Sequence, residues 1–271
     1  MKIDLSNATF IIPIQIESDD RLRNVITSTC FLLSNFDTKI IIKELDEESV
    51  FIEKALPQIK EFCGDVSNLT HIFEKSTSNS FHRQRVLNDM IMESSTKVVV
   101  NYDCDIILPI ESYVKSYEAI LDNDLDVVYP YGDGDYQIQV FADDEIVTNF
   151  LVNDFDFKYL EEKSKVYDAK YGFCQFFNRQ VYIDGGMENE NFVAYAPEDV
   201  ERYYRYVTLG YKVGRLPSFV YHLEHKRTHN SWFNNPMMQS NSSEWEKIKT
   251  MDKSQLIEYY ENQDYLKRRG K

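Results

Sequence analysis

The stretch that most constrains this chain is residues 97–109: Lys-Val-Val-Val-Asn-Tyr, then Asp103-Cys104-Asp105, then Ile-Ile-Leu-Pro. A β-branched run of this kind suits a strand buried on both faces, as in a parallel sheet covered by helices. It ends in two carboxylates two residues apart. On an extended backbone such residues share a face, so Asp103 and Asp105 are expected to point the same way. Like charges side by side repel, and the pair gains from a cation or a donor-rich ligand between them. A hard divalent ion carrying a phosphate meets that need, because Mg2+-type ions are held by one or two carboxylates plus phosphate oxygens. The plainer reading is that strands end in Asp because turns favour it.

The rest of the chain alternates in type. Residues 8–16 read as a strand broken by Pro13, and Ser18-Asp19-Asp20 start a helix with Leu22, Val25, Ile26, Cys30 and Leu33 at helical spacing. Strands are expected at 39–42, 69–73 and 126–129. Helices are expected at 47–59, from Ser78 or Ser80 to about 93, and at 110–121. This order predicts the α/β class: a mostly parallel central sheet flanked by helices. Ligands of such sheets sit beyond the carboxyl ends of the strands, so Gln15, Glu44 and Asp103 are expected to converge on one crevice. Residues 132–170 are acidic and lose the pattern, which suggests cover over a sheet edge or mobile loops. A strand at 173–177, a short helix at 178–183 and a turn at Gly185-Gly186 follow.

Residues 197–209 read as a helix with Pro197 at its first position, an apolar stripe of Val200, Tyr203, Tyr204 and Val207, and Gly210 as its stop. Glu198, Asp199 and Glu201 in its first turn either complement the helix dipole or supply a general base. Short strands at 211–213 and 218–221 lead into His222-Leu223-Glu224-His225. After 241 come one or two amphipathic helices, with Trp245, Ile248, Leu256 and Tyr259 as apolar positions and a frayed, charged end. The expected division is a domain at 1–235 and a C-terminal helical extension at 236–271.

The 271 residues suffice for such a domain with an extension. A formal net charge of −15 argues against nucleic acid as a partner and allows at most peripheral membrane contact. A phosphate ligand then needs a metal or a few placed arginines. Cys30, Cys63, Cys104 and Cys174 lack zinc-site spacing and suit a reducing compartment. Without a signal-like start or an apolar run of about 20 residues, a cytoplasmic protein is expected. Asp103 and Asp105 offer carboxylate ligands, and His222 and His225 offer imidazoles. A mixed set of this kind suits Mn2+ or Mg2+ better than a closed structural zinc site.

Four segments, in order, resemble the GT-A fold, metal-dependent glycosyltransferases, in particular the β-1,4-galactosyltransferase-like group and its bacterial family 2 relatives. Ile11-Ile12-Pro13 is similar to their first-strand nucleotide contact. Phe81-His82-Arg83-Gln84-Arg85-Val86-Leu87-Asn88 is similar to their Phe-Asn-Arg-x-x-x-Leu-Asn helix start. Asp103-Cys104-Asp105 is similar to their Asp-Val-Asp motif. Gly185-Gly186, with Tyr195-Ala196-Pro197-Glu198-Asp199, is similar to their acceptor and catalytic segment. The resemblance covers residues 8–227. It implies a GT-A fold and an inverting transfer from a UDP-sugar, UDP-galactose or UDP-N-acetylgalactosamine, to a carbohydrate or glycolipid acceptor in surface polysaccharide or glycoconjugate synthesis. It implies Asp105, His222 and His225 as metal ligands, and Asp103 as a nucleotide-side contact. Arg83 falls at the diphosphate, with Ile12, Pro13, Glu44 and Gly186 also on the donor side. Asp199 falls at the catalytic base, with Glu198 on sugar or acceptor. Val193 and Tyr195 replace two tryptophans of the family, Pro197 a glycine, and His222 a methionine. A nucleotidyltransferase is a weaker reading, because residues 15–19 are acidic and free of glycine. A dehalogenase-type phosphatase carries its Asp-x-Asp after the first strand, not mid-chain. A non-catalytic carbohydrate or UDP-sugar-binding protein is the third alternative.

Overall fold

The computed structural model describes residues 1–78, 80–228, 230 and 235–270. Among them the apolar, β-branched segments pair into two sheets. The larger is built on β1 (Ile3–Ile14), with β2 (Phe36–Asp46) and β3 (Leu69–Lys75) on one side and β4 (Val98–Tyr102) on the other. The small sheet contributes β5 (Ile106–Ile107), β7 (Gln137–Val140) and β8 (Ser164–Val166). Beyond β4 the large sheet continues through β9 (Cys174–Asn178), β6 (Val127–Tyr129) and β10 (Val213–Arg215). Its pairs are parallel except where β9 meets β4 and β6, so the mostly parallel sheet expected from the sequence is present. Phe10, Ile11, Val98, Val99 and Val100 are fully enclosed, and each side chain of this size contributes roughly 1.5–3 kcal/mol by leaving water. Pro13 is tolerated because β4 pairs with β1 only as far as Ile11, while β2 still lines it.

The helices Asp19–Asn35, Arg83–Glu93 and Ile110–Leu121 flank this sheet. Ser18 caps the first as expected, its hydroxyl accepting from the Arg21 N–H at 3.3 Å. The cap of the second is His82, whose Nδ1 accepts from the Arg85 N–H. Ser78 and Ser80 bond to each other instead. The helix expected at 47–59 is a single wide turn, Phe51–Ala55, running into a helix at Leu56–Cys63. Pro57 therefore lies in the first turn of that helix, where its missing N–H costs nothing. The four cysteines are free thiols. Among the described residues no helix is long and apolar enough to cross a membrane.

Residues 132–170 are not loose cover. They form β7, β8 and the helix Asp144–Val152, and with β5 and β11 (Val220–Leu223) they complete the small sheet, in the order β5-β11-β7-β8. A cluster of rings anchors this segment: Phe150, Phe155 and Phe157 pack around Phe31 at centroid distances of 6.0, 5.3 and 6.3 Å. Those aromatics are too sparse along the chain to produce a periodic signal.

The helix Glu198–Leu209 keeps Tyr203 and Tyr204 of the expected stripe against the core but also buries a charged face beside it. Pro197 precedes it, and Gly210 closes it with φ +91°. Val207, assigned to the apolar stripe, is 46% exposed, whereas Glu198, Glu201, Arg202 and Arg205 face inward. Charge on a buried face is tolerated only when paired. Arg202 meets Glu188 through two 2.8 Å bonds, and Arg205 meets Glu201 at 2.8 Å. Glu188→Ala is expected to lower stability by about 3–5 kcal/mol, because Arg202 keeps its burial and loses its main counter-charge. Denaturant unfolding measures this, and an unchanged midpoint would exclude the pairing argument.

The helices Met238–Ile248, Lys253–Glu261 and Asp264–Lys267 pack against this same region. Tyr260 covers Gly186 and donates to Glu201 at 2.5 Å. As far as Gly270 the charged tail is held, not frayed as expected, since Arg269 pairs with Asp89 and Glu190. Residues 231–234 and Lys271, at the two margins of the expected extension, lie outside the described residues.

Candidate functional site

β4 belongs to the large sheet and β5 to the small one, and Asp103-Cys104-Asp105 is the turn between them. The acids therefore sit on a turn, not on an extended strand, and their side chains part company. Asp105 goes toward β11. There the antiparallel register sets His222 opposite Ile106, and the Leu223 N–H donates to the Asp105 carbonyl at 2.7 Å. This pairing brings a mid-chain acid beside imidazoles more than a hundred residues later.

Asp105 Oδ2 lies 3.1 Å from His225 Nε2 and 3.8 Å from His222 Nε2. One candidate ligand atom from each residue falls within 4.8 Å of the others, and all three residues are buried. The far ring nitrogens are also engaged. His225 Nδ1 lies 2.9 Å from the Lys226 carbonyl, and His222 Nδ1 lies 2.9 Å from Glu224. A carbonyl only accepts, so the His225 Nδ1 facing it donates, and with an ion bound Nε2 would be the ligand atom. Glu224 can orient His222 in the same way. Outer hydrogen bonds of this kind fix the tautomer of metal-binding histidines. Burial opposes the Asp105 charge, but the two imidazoles outweigh it and hold its carboxyl well below the usual range. Burial likewise opposes a charged His222, yet Asp105 and Glu224 raise it to about 9. One carboxylate and two imidazoles at this spacing form a donor set that suits a divalent metal. Glu224→Ala is expected to weaken Mn2+ affinity about 10–100-fold by freeing the His222 ring. Calorimetric titration tests this, and unaltered affinity would remove Glu224 from the site.

Asp103 turns the other way. Its Oδ1 lies 2.5 Å from Arg83 Nη2, which also donates to Asn101 at 3.1 Å. The Asn101 amide donates to Gln175 at 3.2 Å, and Arg202 Nη1 donates to Gln175 at 3.1 Å and to Asp199 at 2.9 Å. One hydrogen-bonded chain therefore joins Asp103 to Asp199 across four elements, two strands and two helices. The Asp199 side chain is 33% exposed. Glu198 beside it is only 7% exposed, and its Oε2 has no hydrogen-bond partner among the described residues. Burial first, and Asp199 next, push the Glu198 carboxyl up to about 8.

The structure thus brings together Asp105, His222 and His225, and separately links Arg83, Asp103 and Asp199. Ile12 and Pro13 lie buried near the end of β1. Glu44 does not open onto the expected crevice. It is fully enclosed, and its oxygens are taken by Ser49, the Phe51 N–H and His71 at 2.5, 2.9 and 3.0 Å. It anchors the wide turn after β2. Gly186, at φ +97°, is covered by the Tyr260 ring, which a side chain would strike at 2.5 Å. Its role in the described structure is that close approach. Asn101, Gln175, Glu188, Arg202 and Glu224 were not singled out by the sequence reading. Only Arg202, one helical turn after Asp199, and Glu224, between the two histidines, left a local signal.

No protein-family model matches the chain, and no curated protein matches it in sequence. Solved structures do. A mannosyltransferase, PcManGT from Pyrobaculum calidifontis in complex with GDP-Man and Mn2+, aligns with a TM-score of 0.57 at 13% identity. That alignment covers 96% of this chain and 69% of the other. GalNAc-T7, solved with UDP, GalNAc and Mn2+, aligns with a TM-score of 0.54 at 12% identity over 88% of this chain. This chain spans 47% of the length of GalNAc-T7. Likeness at such low identity is a likeness of architecture, and on that ground the chain has the GT-A fold.

Proposed function

We propose that this protein is a metal-dependent, inverting glycosyltransferase. It moves galactose or N-acetylgalactosamine from a UDP-sugar to a carbohydrate or glycolipid acceptor, in the synthesis of a surface polysaccharide or glycoconjugate. The observation that carries the reading is the unbroken hydrogen-bond chain from Asp103 to Asp199, with the Asp105–His222–His225 cluster at its near end. Two neighbours of the same fold were solved with Mn2+ and with a nucleotide or nucleotide sugar, which supports the same ligand class here.

Asp105, His222 and His225 would hold Mn2+ or Mg2+. When bound, the ion neutralises charge developing on the departing diphosphate. Arg83, aimed by Asp103 and Asn101, offers further guanidinium donors to the same phosphates. Asp199 accepts the proton of the acceptor hydroxyl as its oxygen bonds to the anomeric carbon and the bond to UDP breaks. Arg202 keeps that carboxylate oriented. Glu198, held protonated by burial, can both donate to and accept from sugar hydroxyls. The transferase unit is residues 1–235, with 236–271 as its helical extension, and the setting is the cytoplasm.

A screen of nucleotide sugars by UDP release tests this, with product anomer read by NMR. Release from UDP-galactose or UDP-N-acetylgalactosamine, abolished by chelator and restored by Mn2+, is expected. Tight UDP binding without release from any donor would favour a non-catalytic protein.

A further inference from the structure

The supports of Arg83 and of Arg202 meet at the far end of the chain. The Arg269 side chain is 13% exposed and lies between two acids. Its Nη2 donates to Asp89 at 2.6 Å, and its Nη1 lies 2.5 Å from Glu190. Asp89 belongs to the helix that begins with Arg83. On that helix Asn88 holds the segment that carries Glu188. Its amide nitrogen donates to the Glu188 carbonyl and to Glu190, both at 2.9 Å, and its oxygen accepts from the Glu188 N–H at 2.8 Å. Glu188 in turn fixes Arg202, which fixes Asp199.

We propose that Arg269 is a positioning residue. By bridging Asp89 and Glu190 it sets the helix bearing Arg83 against the segment bearing Glu188, and so the spacing between the diphosphate side and the base side of the site. The inference rests on the roles given above to Arg83 and Asp199. A planar guanidinium serves both acids at once from a nearly dry position, which a single ammonium does less well. Its neighbour Arg268 also reaches Glu190, at 3.1 Å, but is 67% exposed, and pairs in water contribute little.

The test compares Arg269→Ala, Arg269→Lys and Arg268→Ala by steady-state kinetics, Mn2+ titration and amide hydrogen exchange. Arg269→Ala should lower kcat about 10–100-fold through misplacement of reacting groups. Exchange should quicken at 83–88 and 186–190. Mn2+ affinity should hold, because the metal cluster stands on β5, β11 and their flanks. Arg269→Lys should recover part of kcat, and Arg268→Ala should match wild type. Wild-type kcat in Arg269→Ala, or unchanged exchange in both segments, overturns the proposal. So does loss of Mn2+ affinity in step with kcat, which would mean general unfolding. Should the wild type turn over no nucleotide sugar, the functional reading fails, while the exchange comparison still decides whether the bridge holds the two segments.

Discussion

Asp199→Asn should lower turnover by about 10²–10⁴-fold, the range by which a positioned base speeds proton transfer, or roughly 3–5 kcal/mol of barrier. The substitution is nearly isosteric. The asparagine oxygen can still accept from Arg202, so the buried Arg202–Glu188 pair keeps its geometry. What disappears is the basic carboxylate at the open end of the network. Affinity for UDP and Mn2+ should therefore stay near the wild-type value, since the proposed function places both on the Asp103–Asp105 side. A loss confined to kcat identifies a group acting in the transition state. An equal loss in UDP affinity, with kcat preserved, would make Asp199 a binding residue and leave the base unassigned.

What could be read without coordinates follows from the range of the forces involved. The β1 and β4 strands and the Asp19–Asn35 helix are encoded locally, by β-branched runs and by Ser18, and they were legible. The Asp105–His222–His225 set was legible as chemistry, because each residue ends or follows a strand in an α/β chain. The register between β5 and β11 that assembles it was not, because two-residue β5 carries no pattern of its own. The buried charged part of the Glu198–Leu209 helix was not legible, for a definite reason. A hydrophobicity pattern assigns charge to solvent, whereas here Arg202 and Arg205 are enclosed by acids, one of them ten or more residues away in sequence. Glu44 sits at a strand end as expected, but Ser49, His71 and the Phe51 N–H claim it first. Proximity to a crevice is set by topology; direction into it is set by such local competition.

Asp105→Ala should have the largest effect on the metal, on the order of a 10³-fold loss in turnover, which corresponds to the several kcal/mol that a bound ion supplies at a departing phosphate. It removes the one anionic ligand of the cluster, and it leaves two imidazoles whose outer partners, Glu224 and the Lys226 carbonyl, remain in place. The rings should therefore keep their orientation while Mn2+ affinity collapses. Asp105→Asn separates charge from shape. Its amide still fits between the rings but carries no charge, so it should lose nearly as much affinity as the alanine. UDP binding gives the independent check. In chelator, wild type and both variants should bind UDP equally, because Arg83 and Asp103 are untouched. With Mn2+ present only the wild type should gain affinity. If chelator and Asp105→Ala both left UDP binding in the presence of Mn2+ unchanged, the nucleotide would be held without the cluster, and the site would lose its claim to the diphosphate.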